Sequence, residues 1–423
     1  MKNTKPISHS EAGEAHAPLM GNAALMSMAY AGIDLAPLGV ELVERATADP
    51  SDANALMDLA TIMQLDLAPD VAMDLQAQAL QIRQHYILPA AGKERIRLLA
   101  LMAPGELMAN APLEFLVQDS DITLEMLYVS TELPVPTTLP EHDVLFIAVN
   151  ESDANRPILE LIATLLESSS RALINAPQSI AALSRAGSWA LLRSAPGIVM
   201  PDSVRVKREV LKQLGGGQLA IDALLSNGGF PIIVRPLDSH AGRGLRKLDD
   251  PEAVAGYLKS IIDNEFYVSP FIDYRSDDGL YRKYRVVLID GRAYACHMAL
   301  STKWMVHYLN AGMADSAVKR AEEAQWMAGF DEDFALRHEQ ALRAIAARMR
   351  LEYLVIDCAE TGAGELLVFE VDSGAVVHAM DPVEVFPYKA PQMHKIFAAF
   401  HELLLKAQHG RLCRDQDSHD DGA

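Results

Sequence analysis

The chain contains little cysteine, with only Cys296, Cys358 and Cys413 among 423 residues. Their spacing matches neither a metal-binding motif nor a disulfide framework, which is typical of a protein kept in a reducing compartment. The sequence also lacks any apolar run of the roughly 18 residues that a membrane helix needs. Its opening segment, Met1–His16, lacks the apolar core of a signal peptide. We therefore expect a cytoplasmic protein with no membrane partner.

Basic residues are fewer than acidic ones, with 37 Lys and Arg against 57 Asp and Glu and a net charge of −20. A nucleic-acid-binding protein presents a basic surface to the phosphates, so this balance argues against nucleic acid as a partner. Half of the residues (50%) are hydrophobic, which is sufficient for a large core. The length favours two or three domains of about 150 residues each.

Apolar periodicity predicts a helical region at the N-terminal side of the chain. Residues 1–18 are polar, and we expect them to be disordered. Apolar residues then recur at helical spacing from Asn22 to Tyr86, with a helix-start signal at Asp49–Asp52 and a turn at Asp66–Asp70. Two antiparallel helices with alanines at their contacts resemble a single tetratricopeptide-like repeat, which cannot bury its apolar face alone. This cap, residues 19–92, would dock on the rest of the chain, on a protein partner or on a second copy in a homodimer. A plain helical cap without a partner role is the alternative.

The period changes at Arg95, where short apolar strands begin to alternate with helical segments. This alternation predicts a parallel α/β sheet. A helix is predicted at Pro157–Leu166, and no Gly-rich fingerprint for dinucleotides accompanies it. The predicted strands are Arg97–Ala103, Ile122–Val129, Val144–Val149 and Ala172–Asn175.

A later strand, Ile232–Pro236, carries the cation Arg235 and leads into a small-residue loop, Ser239–Gly244. Glycines allow backbone N–H groups to approach an anion, and a fixed cation offsets the anion's charge. The loop does not match the GxxxxGK[ST] phosphate loop. Phosphate binding is therefore one interpretation, and a flexible turn is the other.

A hairpin predicted near the C-terminal side of the chain carries three carboxylates. Its strands flank the turn Thr361–Gly364, with Asp357 on one arm and Glu370 and Asp372 on the other. Residues two apart on a strand share a face, so Glu370 and Asp372 point the same way. Converging carboxylates are stabilised by a cation, and oxygen ligands suit magnesium or manganese. An acidic hairpin that faces solvent is the alternative.

The order of these features resembles the ATP-grasp superfamily, in particular the RimK-like carboxylate–amine ligases. A cation on a predicted helix (Arg185) comes first. The cation-ended strand with its loop, an apolar strand into Phe271–Asp273, a basic strand and the acidic hairpin follow in that order. The resemblance covers about 95–405.

The resemblance implies a mixed α/β (α+β) fold of the ATP-grasp type. Residues 93–195 would form a parallel α/β domain that precedes the ATP-grasp domain. Residues 196–272 would form the subdomain with the Gly-rich loop, and residues 273–407 the subdomain with the metal site. The helical cap precedes these parts, and residues 408–423 form an acidic tail.

The resemblance also implies ATP and Mg²⁺, or Mn²⁺, as cofactors. Asp357, Glu370 and Asp372 would be the metal ligands. Arg235, Arg285 and His297 would act in catalysis. Substrate contacts would come from Arg282, Lys283, His307 and Asn310. The nucleotide would be bound by Arg185, Arg235, Ser239, His240, Gly242, Arg243, Gly244, Phe271, Ile272 and Asp273.

The activity that the resemblance implies is an ATP-dependent ligase. It would join a carboxylate to an amine through an acyl phosphate, on an amino acid, a peptide or a small metabolite. The chain departs from the family pattern at Lys283, where an acidic residue often stands, and at Ser373–Ala375, where Pro-Gly is usual. A small-molecule kinase, or a non-catalytic nucleotide-binding protein whose cap recruits a partner, are the alternatives.

Overall fold

The computed structural model describes residues 16–167, 172–225, 228–237, 239 and 242–412. The chain forms two compact units, Met1–Leu88 (unit 1) and Pro89–Ala423 (unit 2). The disorder expected over residues 1–18 falls outside the described residues at 1–15, and so do His240 and most of the acidic tail. Within the described part of the chain, no helix is both long enough and apolar enough to cross a membrane.

Over residues 16–88, unit 1 consists of four helices and one strand. Asp52 caps the third helix by accepting a hydrogen bond from the Ala55 N–H at 3.0 Å, which confirms the predicted helix start. The helical prediction was wrong at its end, because His85–Leu88 is a strand; Tyr86 and Ile87 have the side-chain shapes that favour extended backbone. The elements are α1 (Asn22–Tyr30), α2 (Ala36–Ala48), α3 (Ala53–Leu65), α4 (Pro69–Ile82) and β1 (His85–Leu88).

The first part of unit 2 contains the predicted parallel sheet. Strand β2 pairs in parallel with β3 and with β4, and β4 pairs in parallel with β5. Every residue of β3 is buried, as expected for a parallel strand covered on both faces. The elements are β2 (Ile96–Met102), α5 (Leu113–Val117), β3 (Ile122–Tyr128), β4 (Val144–Ile147), α6 (Arg156–Leu166) and β5 (Leu173–Ile174).

Two short helices, α7 (Pro177–Ala181) and α8 (Arg185–Leu192), replace the single helix predicted over 178–194. The Ser184 hydroxyl accepts a hydrogen bond from the Gly187 N–H at 3.2 Å and so caps a new helix. This break places Arg185 in the first turn of α8. The short strand β6 (Ile198–Val199) follows.

A small antiparallel sheet in the order β7-β10-β8-β9 comes next. One face of this sheet is buried in a core of its own, to which Ile232, Val234, Phe266 and Val268 contribute. Because side chains alternate along a strand, Arg235 lies on the opposite face. The elements are β7 (Val204–Lys207), α9 (Arg208–Gly215), β8 (Ile232–Pro236), β9 (Arg246–Leu248), α10 (Pro251–Ser260) and β10 (Glu265–Pro270).

The last part of unit 2 is a five-stranded sheet in the order β12-β11-β13-β14-β6, mostly antiparallel. The pair Asp290 and Gly291 predicts a hairpin turn, and the structure confirms it, with φ values of 50° and 77° that suit a two-residue hairpin. The elements are β11 (Tyr281–Ile289), β12 (Arg292–Ser301), α11 (Ala317–Ala328), α12 (Phe334–Arg337), α13 (Glu339–Met349), β13 (Tyr353–Glu360), β14 (Leu366–Asp372) and α14 (Lys389–Gln408).

The amphipathic pattern of Phe334–Met349 predicts a single helix, but the structure interrupts it at His338. The buried His338 ring places Nε2 2.9 Å from Glu360 Oε1, so a tertiary contact fixes the break between α12 and α13. These elements confirm the mixed α/β class. Along unit 2 the parallel sheet is followed by two mainly antiparallel sheets, and the domain boundaries that the resemblance implies remain predictions.

Candidate active site

The acidic hairpin forms as predicted, from β13 and β14. Asp357 lies directly opposite Glu370, and Val355 lies opposite Asp372. The pairing has an irregularity between Asp357 and Cys358. The two arms therefore bring Asp357 and Glu370 together through the backbone register itself.

Asp357 is bound by two cations of the neighbouring strand β11. Arg285 donates from Nε to Oδ1 at 2.8 Å and from Nη2 to Oδ2 at 3.1 Å. Lys283 Nζ lies 2.7 Å from the same Oδ2. Burial disfavours the charged carboxylate, but Arg285 and Lys283 outweigh it and hold the pKa of Asp357 well below its usual range. Asp357 is therefore an ionised carboxylate with cations on both oxygens.

Glu370 is bound by Arg185, which comes from a segment nearly two hundred positions earlier. Arg185 Nη2 donates to Glu370 Oε1 at 2.8 Å, and its Nη1 donates to the Phe369 carbonyl at 3.2 Å. Burial favours the neutral acid, but Arg185 and then Arg235 outweigh it and lower the pKa of Glu370. The capped start of α8 thus positions one cation on the acidic hairpin, and the charge of a second, Arg235, also acts there.

Asp372 has a different environment from the other two acids. Its Oδ1 accepts the Gly374 N–H at 2.8 Å. Burial, followed by repulsion from Glu370, raises the pKa of Asp372 to about 6. The Glu370–Asp372 pair is therefore the part of the hairpin where added positive charge would be most stabilising.

The donor types of the three acids fit magnesium or manganese, since all are carboxylate oxygens. Their arrangement fits less well. Among the residues that the structure describes, no three His, Cys, Asp or Glu side chains are grouped so as to hold a metal ion. Asp357 fits a metal site least well of the three acids, because both of its oxygens are bound to cations. Metal binding by the three acids together remains a prediction, and Glu370 and Asp372 are the pair that suits it better.

His297 lies on β12 directly opposite Arg285. Its half-buried ring contacts Tyr308, with ring centroids 4.5 Å apart. Burial, followed by Arg285 and Lys389, holds the pKa of His297 well below its ordinary value. The imidazole is therefore neutral at neutral pH, which suits hydrogen bonding better than proton uptake.

The four expected substrate contacts have different surroundings. Lys283 contacts Asp357, whereas Arg282, the next residue on the strand, points to the opposite face and pairs with Asp278 and Glu322. The structure thus does not bring Arg282 to the carboxylates. His307 is half-buried, and burial followed by Lys283 lowers its pKa. Asn310 is exposed at the end of a short 3₁₀ segment.

The loop after β8 is held by its own residues. Arg235 donates from Nε to Ser239 Oγ at 3.3 Å and also donates to the Ser239 carbonyl. The buried Ser239 hydroxyl donates to the Pro236 carbonyl at 2.8 Å. Gly242 and Gly244 have φ values of 76° and 67°, which favour glycine. Arg243 is exposed, and His240 lies outside the described residues.

The expected adenine-binding segment follows β10. The Phe271 N–H donates to the Pro231 carbonyl at 3.0 Å, so this amide already has a partner. Ile272 is half-buried, and Asp273 accepts the Arg275 N–H at 3.1 Å. Sequence reasoning missed Lys247, whose Nζ lies 5.0 Å from the centroid of the Phe271 ring. Its position on β9, opposite Ile233, puts it on the same face as Arg235, and strand alternation could have revealed this.

A buried charged cluster was also missed. Lys389 Nζ lies 2.7 Å from Asp381 Oδ2 and 3.6 Å from Glu323 Oε1. The Tyr388 hydroxyl donates to the other oxygen of Glu323 at 2.6 Å. Glu323 comes from one segment, and Asp381, Tyr388 and Lys389 come from another. No local sequence pattern therefore predicts the cluster.

Comparison with known proteins gives similar structures only. No protein-family model matches this sequence, and no curated protein matches it. The D-alanine–D-alanine ligase from Bacillus anthracis, in complex with ATP, is 14% identical, with a TM-score of 0.44 over 75% of this chain and 99% of that one. The VanG D-Ala:D-Ser ligase from Enterococcus faecalis is 13% identical, with a TM-score of 0.44 over 74% of this chain and 100% of that one. A RimK domain ATP-grasp protein from Sphaerobacter thermophilus is 16% identical, with a TM-score of 0.39 over 73% of this chain and 99% of that one. At these values the likeness defines no activity for this chain.

Proposed function

We propose that this protein is an ATP-dependent ligase of the ATP-grasp type, which joins a carboxylate to an amine through an acyl phosphate. The observation that carries the proposal is the contact of Arg185 with Glu370 at 2.8 Å. This contact joins Arg185, which precedes the small antiparallel sheet in the sequence, to the acidic hairpin of the five-stranded sheet. The order of motifs in an ATP-grasp ligase requires these two parts to meet. Four basic and three acidic side chains then act on one another across these strands, namely Arg185, Arg235, Lys283, Arg285, Asp357, Glu370 and Asp372.

The proposed reaction has two steps. An oxygen of the substrate carboxylate attacks the γ-phosphorus of ATP, the bond from that phosphorus to the β-γ bridging oxygen breaks, and ADP leaves. The nitrogen of the amine then attacks the acyl carbon, and the carbon–oxygen bond to phosphate breaks. The products are an amide, ADP, phosphate and the proton released by the amine.

The residues of the site would act by positioning and by offsetting charge. Arg185 and Arg235 would bind phosphate oxygens of the nucleotide, and the loop after β8 would cover them. Arg285 would face the transferred phosphoryl group from β11. His297, directly opposite Arg285 and neutral, would orient the substrate by hydrogen bonding.

Mg²⁺ or Mn²⁺ would be held by Glu370 and Asp372; burial, followed by the charge of Glu370, raises the pKa of Asp372 to about 6. When bound, such an ion offsets negative charge on the β- and γ-phosphates.

A second candidate function is nucleotide binding without catalysis. The observation that favours it is the double ion pair of Asp357 with Arg285 and Lys283, which opposes its use as a ligand. In that case unit 1 would recruit a protein partner. A kinase with the same fold is a third hypothesis; it differs from the ligase because it releases a stable phosphorylated product.

The first test is thermal unfolding with and without Mg-ADP, for the wild type and for Glu370→Gln. A ligand at 100 times its dissociation constant adds about 2.7 kcal/mol to stability. We expect a magnesium-dependent rise in the melting temperature of the wild type that shrinks in Glu370→Gln. Glu365→Gln is the matched control, because Glu365 is exposed in the same hairpin. No rise in the wild type would contradict the nucleotide site.

The second test separates the three functions. ADP release is measured for the wild type with a panel of carboxylic acids, each with and without added amines. ADP release that requires both an acid and an amine supports the ligase. ADP release with a stable phosphorylated product and no need for an amine supports the kinase. Nucleotide binding without any ADP release supports the binding protein.

A further inference from the structure

Lys283 and Arg285 lie side by side on β11 and contact a single carboxylate, Asp357. The register of the sheet places Arg285 directly opposite Asp357. Lys283 is two positions earlier on the same strand, so both side chains leave the same face. Lys283 Nζ reaches Oδ2 at 2.7 Å, and Arg285 reaches both oxygens, at 2.8 Å and 3.1 Å.

This arrangement is rigid. Asp357 is 7% exposed and lies on a strand paired on both sides. Arg285 is fixed a second time, because its Nη1 donates to the Val376 carbonyl at 3.1 Å. An ion pair with this burial and these contacts is not released without cost, since removal of a single partner leaves an uncompensated charge.

The arrangement also leaves Asp357 a poor ligand for a divalent cation. A carboxylate binds a metal through the lone pairs of its oxygens, and here both oxygens accept hydrogen bonds from charged donors. An ion that approached Asp357 would also meet the two positive charges of Lys283 and Arg285. Charge on the other two acids is less balanced, since Glu370 has one cation at 2.8 Å and Asp372 has a backbone N–H at 2.8 Å.

We propose that Lys283, together with Arg285, is the built-in counter-cation of Asp357, so that Asp357 is not a metal ligand and Glu370 with Asp372 holds the divalent cation. The inference rests on the proposed function, because it concerns the metal that accompanies the nucleotide. The Lys283 ammonium supplies a fixed positive charge at the place where a further divalent ion would otherwise be attracted.

The test is the binding of Mn²⁺ in the presence of excess ADP, measured from the free-ion signal by electron paramagnetic resonance. This readout does not depend on turnover. We expect Glu370→Gln to weaken Mn²⁺ binding by roughly tenfold or more, and Asp357→Asn to leave it within about twofold of the wild type. We expect Lys283→Met, which removes one of the two cations at Asp357 Oδ2, to bind more Mn²⁺ per chain than the wild type.

Two variants serve as controls for the substitution Lys283→Met. Lys283→Arg keeps a cation at the position and should bind Mn²⁺ as the wild type does. Lys259→Met removes an exposed lysine of α10 and should also leave binding unchanged. If Lys283→Met does not fold, Asp357→Asn still decides whether Asp357 is a metal ligand.

The failures of the two proposals are distinguishable. If Asp357→Asn weakens Mn²⁺ binding as much as Glu370→Gln does, the counter-cation assignment is overturned. The proposed function still stands in that case if the wild type binds Mn²⁺ and ADP. Equal Mn²⁺ content in the wild type and a folded Lys283→Met also overturns the assignment. Absence of both Mn²⁺ and ADP binding from the wild type overturns both proposals.

Discussion

The two mainly antiparallel sheets of unit 2 hold their basic side chains in different ways. In the larger sheet, Lys283 and Arg285 project from the middle of a paired strand onto Asp357, which is buried. In the smaller sheet, Arg235 stands near the end of β8 and binds Ser239 of the loop that follows. The larger sheet fixes its charges by register, whereas the smaller sheet fixes its cation through a loop that contains two left-handed glycines.

The difference indicates how the two sheets contribute to a common site. Charges held by strand register are preorganised, and they keep the same geometry whether or not a ligand is present. A cation held by its own loop can exchange that contact for a ligand when the loop moves. We therefore expect changes in the larger sheet to act mainly on stability and metal binding, and changes in the smaller sheet to act mainly on nucleotide affinity.

The largest effect should come from Asp357→Ala, which leaves two partly buried cations, Lys283 and Arg285, without their carboxylate. Removal of one partner from a buried ion pair costs about 3–5 kcal/mol. Asp273→Ala is the matched control, because Asp273 pairs with Arg275 near the surface, where an ion pair is worth about 0–1 kcal/mol. Urea unfolding of both variants tests this, and a similar loss in the two would mean that the Asp357 cluster is not rigid.

A second test concerns the turn that follows β14. A Cβ at Gly374 would lie 1.7 Å from Asn150 Nδ2, and that amide is held by a hydrogen bond to the Met108 carbonyl at 2.7 Å. Overpacking of this kind costs about 1–3 kcal/mol, so Gly374→Ala should unfold at lower urea concentration than the wild type. Gly362→Ala, in the open turn of the same hairpin, should unfold as the wild type does.

The cause of that loss can be checked directly. The double variant Gly374→Ala with Asn150→Ala removes the group that the new methyl would meet. We expect it to recover stability relative to Gly374→Ala with Asn150 intact. A double variant less stable than either single variant would show that the close approach of Asn150 is not the reason for glycine at position 374.

The smaller sheet has its own glycine test. Gly244 has a φ of +67°, and a Cβ there would lie 2.7 Å from the Pro236 ring. A left-handed conformation costs about 1–2 kcal/mol for a residue with a side chain, so Gly244→Ala should distort the loop. We expect weaker ADP binding by calorimetry. Gly256→Ala, where the structure leaves open space in α10, is the control and should bind ADP normally. Equal ADP affinity in both variants would show that the loop does not contribute to nucleotide binding.

The smallest predicted effect concerns Asp58 of unit 1, a buried aspartate that can be compared with Asp357. Asp58 accepts the N–H groups of Met20 and Gly21, each at 3.0 Å, and burial raises its pKa to about 6. In the unfolded chain an aspartate has a pKa of about 4. Between these values the folded state binds the proton more tightly, so the stability that Asp58 contributes is present below about pH 4 and is lost as pH rises through about 6.

Asp58→Asn cannot titrate and provides the measurement. The free energy of unfolding of the wild type, minus that of the variant, should fall as pH rises from about 4 to 6, by at most about 1.4 kcal/mol per pH unit. Both free energies are measured by urea unfolding, followed by far-UV circular dichroism, which reports the helices of both units. A difference that stays constant across this range would contradict the raised pKa. Asp357 has the opposite shift, because cations rather than N–H groups bind it.

Much of the local structure could be predicted from the sequence. Val355, Ile356 and Leu366–Phe369 flank a Gly-containing turn, and this pattern was sufficient for the hairpin that places Asp357 opposite Glu370. Helix breaks were harder to predict, because the break at His338 depends on a contact with Glu360 from another element. A tertiary contact of this kind overrides local propensity and leaves no signal in the window around the residue.

The sequence by itself determined the order of strands and helices, the hairpin and the types of side chain available to the site, since these follow from periodicity and turn chemistry along the chain. The tertiary structure alone decided how those charges are paired. Arg185 meets Glu370, and Lys283 meets Asp357, because cross-strand register and helix packing join segments that are far apart in sequence. Ion pairs depend on distances of a few ångströms between such segments, and no pattern along the chain encodes those distances.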